Sequence, residues 1–336
     1  MFKPKYRLTN KILFNLRQIE RFYGNLEVKQ IPKSLLLNLE KNNLIQSSYA
    51  SNSIEGNPLS QVEVTNLLLN DRAPSNRNEK EIVNYFSILG KMNDYLNKDF
   101  DLDLFLSIHK KLMEGVNDKI KGQIRNNEVV VGMKLTNKKL IIKHNPPFHK
   151  KNEIESALRI LGNWINSSQE QPILKAGIFH HEFVYVHPFE DGNGRTCRLL
   201  TALILQKYQY QINKYFVLDD YYDIDRELYS SSLNKADKGD KTFWLEYFTD
   251  GVKYSLQSAL GKIEAGFSKL QFDLRPTTRE QDVLFLVQTY HQLTSNNVVN
   301  ELNISRQQAH KLLKSLVEKG LLTKKGFTKN SYYVLR

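Results

Sequence analysis

A single cysteine, Cys197, stands in the 336 residues. It cannot close an internal disulfide, and cysteine-based zinc sites drop out with it. No run approaches the roughly 18 consecutive apolar residues that a membrane-spanning helix needs, so no membrane partner is expected. The first residues, Met1-Phe2-Lys3-Pro4-Lys5-Tyr6, lack the apolar core of a secretion signal, and a reduced, cytoplasmic setting is the expectation. Internal repeats and low-complexity tracts are lacking too. Apolar residues make up 40%, with 17 Phe and 17 Tyr, which is enough for a sizeable core and excludes wholesale disorder. Forty-eight Lys and Arg against 36 Asp and Glu leave a formal charge of +12. That surplus suits an anionic partner such as nucleic acid or nucleotide, or simply a lysine-rich solvated surface.

Helical periodicity dominates the chain. Ile12, Leu13, Leu16 and Ile19 form one apolar face over 8–22. Pro32 opens a longer helix over 33–55, which Gly56-Asn57-Pro58 stops, and Ser60 with Glu63 reads as a capping box opening the next. The polar stretch 71–80 and the pair Arg275-Pro276 read as boundaries. Two amphipathic helices are expected over 79–116. Val129-Val130-Val131 and Leu140-Ile141-Ile142 then suggest a β-hairpin within 122–145. Helices follow at 151–166, 171–186, 195–207, 223–236 and 241–262. Beyond 278 the pattern is three helices and two short β-prone stretches.

The densest chemistry lies in His187-Pro188-Phe189-Glu190-Asp191-Gly192-Asn193-Gly194-Arg195-Thr196-Cys197-Arg198. An apolar helix delivers His187 just before Pro188, which predicts an extended backbone at the histidine. Gly192, Asn193 and Gly194 let backbone amides converge at the N-terminus of the next helix, a geometry that binds anions. Arg195 and Arg198, three residues apart on that helix, can turn toward the same ligand. Asp191 offers a hard oxygen of the kind Mg²⁺ takes beside phosphates. No Gly-Lys-Ser/Thr follows, so this is not a Walker loop. Tyr185 stands where the second histidine of an HExxH zinc motif would be.

This segment resembles the signature HPFxDGNGRxxR of Fic-domain proteins at every specified position. The resemblance extends over most of 79–250, including a helix at Ile108-His109, a flap over 122–147 with Gly122, Arg125 and Pro146-Pro147, and closing helices near Lys238-Gly239-Asp240. It implies a mainly α fold: a Fic-type helical core (78–262) with a β-hairpin flap, an N-terminal helical region (1–77) and a C-terminal domain (276–336). It further implies transfer of AMP from ATP, with Mg²⁺, to a Ser, Thr or Tyr hydroxyl of a target protein, the chain itself included. His187 would be the general base, Asp191 the metal ligand, and Gly192, Asn193, Gly194, Arg195 and Arg198 the phosphate cradle. Phe189 would pack beneath the loop. The flap backbone at Glu128, Val129, Val130, Val131 and Gly132 would align the target by strand addition. Doc-type kinases of the superfamily carry Lys at the position of Gly194, which argues against phosphotransfer here. Asp237 falls where ATP-using relatives carry Asn near the base, and Tyr229 is either a base-flanking or an ordinary core tyrosine.

Ser51, Glu55 and Gly56 resemble the inhibitory motif [S/T]xxxE[G/N] of the same family, in which the glutamate pairs with the second signature arginine, here Arg198. An acidic residue in the last turn of a helix opposes the macrodipole and calls for a cationic partner. The implied roles are ATP misplacement by Glu55 or, in the reverse reaction, positioning of a water that removes AMP from a modified target.

The C-terminal segment resembles a winged helix-turn-helix, with Arg306, Gln307 and Lys311 as candidate DNA contacts and Lys324, Lys325 and Lys329 in the wing. A helical interaction or homodimer module of the same shape is the alternative. From a different class comes a third reading, a nucleotide-sensing DNA-binding regulator.

Overall fold

The protein is described by a computed structural model that covers residues 2–70, 72–134, 140–274, 276–326 and 331–335, with the backbone alone at 133–134, 140–143 and 267–274. Lys329 lies outside the described residues. Two compact units emerge, Met1–Lys262 and Ile263–Arg336.

The first unit is helical apart from one hairpin. Thr9 caps α1 (Asn10–Val28), which runs past the expected end at residue 22 because Tyr23 and Leu26 continue its buried face. The second helix, α2 (Lys33–Ile54), is unusual in what it buries. Its inward face carries Ser47, Ser48, Ser51 and Asn52 rather than leucines. Each finds a partner: the Ser47 hydroxyl binds Asp219, Ser48 donates to the Leu44 carbonyl at 2.7 Å and Asn52 to the Ser48 carbonyl at 2.8 Å. Buried polar groups cost free energy unless satisfied, so a polar inner face of this kind marks a helix aimed at charge. The capping box of Ser60 and Glu63 starts α3 (Gln61–Leu69) as expected. Asn76 caps α4 (Arg77–Gly90) and Asp101 caps α5 (Leu102–Leu112).

Two short strands, β1 (Val131–Lys134) and β2 (Leu140–His144), form the antiparallel hairpin, with Val131 opposite His144 and Gly132 opposite Ile142. Val129 and Val130 lie before the strand. Helices α6 (Lys151–Ser167), α7 (Pro172–Val186) and α8 (Asn193–Lys207) follow. Seven residues in the stretch from Cys197 to Leu205 are apolar and buried, which makes α8 the axis of the unit. Phe100, Phe105, Phe179, Phe183 and Phe189 stack beside it with ring centroids about 6 Å apart. The expected helix over 223–236 is two, α9 (Asp219–Ile224) and α10 (Arg226–Ala236), split where Asp225 leaves helical geometry to cap the second. The last, α11 (Thr242–Leu274), runs twelve residues past the expected 262.

The second unit holds α12 (Thr278–Tyr290), α13 (Ser295–Leu302), α14 (Arg306–Glu318) and the antiparallel strands β3 (Leu322–Lys325) and β4 (Tyr332–Leu335). Val283, Val287, Val298, Leu313, Leu316, Leu322 and Tyr333 build its core. Asn303, in the left-handed region at φ 50°, turns the chain from α13 to α14, and Ser305 caps the latter. Glu280 of α12 ties to Lys319 at 2.7 Å and Ser315 at 2.6 Å.

Candidate active site

His187 closes α7. Its amide donates to the Phe183 carbonyl at 3.1 Å, and its backbone sits at φ 50°, ψ 63°. The expected extended geometry is thus wrong. A left-handed residue ends the helix and redirects the chain at once into Pro188, a conformation that L-residues rarely adopt and that something must hold. Arg125 holds it. This guanidinium, only 2% exposed, donates to the carbonyls of His187 (2.7 Å), Val186 (3.3 Å), Phe148 (2.7 Å) and Asn127 (2.6 Å), while the Arg125 amide donates to Pro188. Burial, with the nearby His144 ring, lowers the His187 imidazole to about 4, so it is neutral at neutral pH. Its Nδ1 is buried without a hydrogen-bond partner.

The loop that follows is braced from both sides. Asn193 bonds the Phe189 amide and carbonyl, both at 2.8 Å. Phe189 is fully buried, as expected, and stacks on His109 at 3.6 Å. His109 Nδ1 accepts from the Gly122 amide at 3.0 Å, which puts the proton on Nε2, and Nε2 donates to the Asp191 carbonyl at 3.1 Å. Burial lowers its pKa to about 4 and keeps that tautomer neutral. The sequence reading missed both bracing roles, of His109 and of Arg125. A histidine inside an apolar helix and an arginine just before a β-prone run were the available signals.

Gly192, at φ 77°, starts α8 with no side-chain cap. An anion lies against this first turn. The Glu55 carboxylate comes so close to Gly194 that a Cβ there would stand 2.1 Å from Oε1, so only glycine is compatible with it. Arg198 Nη2 donates to Glu55 Oε1 at 2.8 Å and to the Ser51 carbonyl at 2.8 Å, and its Nε donates to the Ser51 hydroxyl at 2.7 Å. Burial opposes ionisation of Glu55, but Arg198 and Arg195 outweigh it and hold its carboxyl below the usual range. Asp219, 3.8 Å from the Arg198 Nε, is pushed up to about 6 by burial and is the weaker counter-ion. Gly56, at φ 86°, turns the chain out of α2 immediately afterwards.

Arg195 and Arg198 do not converge on one group. Arg195 faces Glu81 (3.2 Å), Asp191 (3.1 Å) and Asn52 (3.4 Å). Asp191 also pairs with Arg77 at 3.0 Å, and no cluster of three acidic, histidine or cysteine residues suited to a metal occurs among the described residues. A divalent ion therefore fits at Asp191 only if phosphate oxygens complete its shell.

Of the flap segment Glu128–Gly132, only Val131 and Gly132 lie in β1, which among the described residues has a partner strand on one side alone. His144 ends β2 between Asp237 (2.7 Å) and the Tyr185 carbonyl (3.0 Å), with its ring 6.2 Å from that of His187. Asp237 spends its other oxygen on His181 at 3.0 Å and borders a cavity of about 240 Å³. Tyr229 is a core residue, its hydroxyl on His180 and its ring on Tyr222. Arg306, Gln307 and Lys311 are exposed on α14 of the second unit.

The helical fold with its small hairpin is of the Fic type. Residues 99–205 match the Fic/DOC family. The chain is 28% identical over 229 residues to the protein adenylyltransferase Fic of Aedes aegypti, covering 65% of this chain and 42% of that protein. It is 26% identical over 249 residues to the protein adenylyltransferase fic-1 of Caenorhabditis elegans, covering 70% and 45%. The chain thus spans less than half the length of these curated relatives. Among solved structures, a Fic family protein from Desulfovibrio desulfuricans G20 superposes with a TM-score of 0.68 at 23% identity, covering 100% of this chain and 98% of that one. Residues 134–508 of C. elegans Fic-1 give 0.62 at 23% identity, covering 76% and 73%. No described helix is long and apolar enough to cross a membrane.

Proposed function

We propose that the first unit is a protein adenylyltransferase that moves AMP from ATP to a side-chain hydroxyl of a target protein. The observation that carries this reading is a neutral His187, fixed in a strained turn, beside the first turn of α8, where buried Arg198 already holds an anion, Glu55. The hydroxyl proton passes to the His187 imidazole, the hydroxyl oxygen bonds to the α-phosphorus, and the bond to pyrophosphate breaks. The amides at Gly192–Gly194 with Arg195 and Arg198 receive the phosphate charge. Mg²⁺, held by Asp191 with the phosphates, would screen the polyphosphate charge. With Arg198 committed to Glu55, the resting site is closed to a γ-phosphate, which makes Glu55 an inhibitor. Because His187 titrates near 4, the acid limb of the rate should fall well below the 6.5 of a free histidine.

The test is transfer from ATP labelled at the α-phosphate. Label should enter protein with Glu55→Gly, rise above wild type, and vanish when His187→Ala is added. No incorporation in the Glu55→Gly protein, into itself or a lysate, overturns the reading. Removal of AMP from a modified protein uses the same groups, with Glu55 orienting water; loss of that release in Glu55→Gly would favour it.

For the second unit we propose contact with duplex DNA. Residues 303–336 contain eight Lys and Arg and a single acidic residue, Glu318, more than half of the net charge of the chain. Two adjoining cavities of about 600 and 390 Å³ share His310, Lys324 and Tyr333 between α14 and the strands, and Arg306, Lys311 and Lys314 extend their basic lining. A recognition helix with a basic wing has this layout. Selection from a random duplex library by the full chain tests it. Enrichment of a sequence, lost with Arg306→Ala and Gln307→Ala, is expected; no retained duplex at low salt, or retention of single strands alone, overturns it.

A further inference from the structure

Around the start of α8, four side chains of alternating sign close a ring. Arg77 Nη2 meets Asp191 Oδ2 at 3.0 Å, Asp191 Oδ1 meets Arg195 Nη2 at 3.1 Å, Arg195 Nη1 meets Glu81 Oε2 at 3.2 Å, and Glu81 Oε1 returns to Arg77 Nε at 3.2 Å. The members differ in freedom. Arg195 is 3% exposed and Glu81 11%, whereas Asp191 is 37% and Arg77 57% exposed. The buried half is anchored further, because Asn57 donates to Glu81 Oε2 at 3.1 Å and to the Asn78 carbonyl at 3.0 Å. The turn that carries Glu55 is thereby tied to the first turn of α4.

The two oxygens of Asp191 are not equivalent. Oδ1 already accepts from the Gly192 amide at 2.6 Å and from buried Arg195, contacts that hold the loop in place. Oδ2 is the one turned outward, and the Arg77 guanidinium rests on it. A hard cation approaching Asp191 must take a carboxylate lone pair, and the accessible one is engaged by a charge of the same sign as the ion.

We infer that Arg77 is a displaceable cationic plug: it occupies the metal-facing oxygen of Asp191, and a divalent ion enters only as Arg77 swings away. This inference rests on Asp191 being the metal ligand. It makes α4 a second gate on the site, distinct from Glu55, since Arg77 touches neither Arg198 nor the Gly194 cradle. An exposed ion pair is weak, so the plug sets a threshold and not a block. Its removal should tighten metal binding about three- to tenfold.

The probe is Mn²⁺, titrated by electron paramagnetic resonance into the full-length Glu55→Gly protein loaded with one equivalent of a non-hydrolysable ATP analogue. Arg77→Ala should bind the ion about three- to tenfold more tightly, Arg77→Lys should stay near wild type, and Asp191→Asn should lose it. Because Arg77 is a surface residue, thermal melting of Arg77→Ala should match its parent. Unchanged Mn²⁺ affinity in Arg77→Ala, with affinity lost in Asp191→Asn, overturns the plug and leaves the metal assignment standing. Unchanged affinity in Asp191→Asn overturns both.

Discussion

The loop at the start of α8 and the outer face of α14 are both dense in positive charge, and the protein treats them in opposite ways. Arg125, Arg195 and Arg198 are each 3% exposed or less, and every one meets carbonyls or carboxylates at hydrogen-bond distance. On α14, Arg306, His310, Lys311 and Lys314 stand in solvent, and the pair Lys314–Glu318 at 3.7 Å is a loose surface contact. A buried cation cannot go without a partner, because desolvation without compensation costs several kcal/mol per ion. The first region therefore has to supply its own anion whenever no ligand does, and Glu55 is that anion. The second region has no such obligation, because water solvates its lysines. Interior charge thus demands a partner within the fold, and surface charge does not.

The contrast can be broken most forcefully at Glu55. Glu55→Gly removes the internal anion, so affinity for a non-hydrolysable ATP analogue should rise about 100-fold by calorimetry, the equivalent of roughly 2.7 kcal/mol returned by Arg198. Next comes Arg125→Met, which keeps bulk but leaves the carbonyls of Val186, His187 and Phe148, on buried or half-buried residues, without this donor. Urea denaturation should show a loss of about 3 kcal/mol. Third is pH. His109 is fully buried and its folded pKa is lowered to about 4, so between pH 6.5 and 4 the unfolded chain binds the extra proton and the folded one does not. Stability contributed by the neutral ring is complete above 6.5 and declines as pH falls, by about 2 kcal/mol from pH 7 to 5. His109→Gln should flatten that part of the curve. The smallest effects belong to the open face. Lys311→Ala and Lys324→Ala should each stay within about 0.5 kcal/mol of wild-type stability, yet each should reduce the salt slope of duplex binding by about one.

Much of this molecule can be read from its amino acids, for reasons that differ by region. A helix start with a strong local signal, such as Ser60 with Glu63, falls where the pattern predicts, because capping is settled within four residues. Helix ends without a breaker are missed, as in α1, where the burial of Tyr23 and Leu26 carries the helix onward, and in α11. The signature loop is dense enough to mark the site, though not how Arg195 and Arg198 divide their partners. What local rules misjudge is His187. The restriction imposed by Pro188 is real, but it is met in the left-handed region, because Arg125, sixty-two residues away, secures the carbonyls that such a turn exposes. The ring of Arg77, Asp191, Arg195 and Glu81 is equally hidden in sequence, since it joins α4 to a loop more than a hundred residues distant.

The closeness of Glu55 to Gly194 has an evolutionary corollary. With Oε1 only 2.1 Å from where a methyl would project, mutation to alanine at 194 acts as a wedge that expels the carboxylate. So long as Glu55 is kept, position 194 has no room for a side chain, whereas loss of Glu55 lifts that constraint and leaves the glycine answerable only to the proposed phosphate cradle.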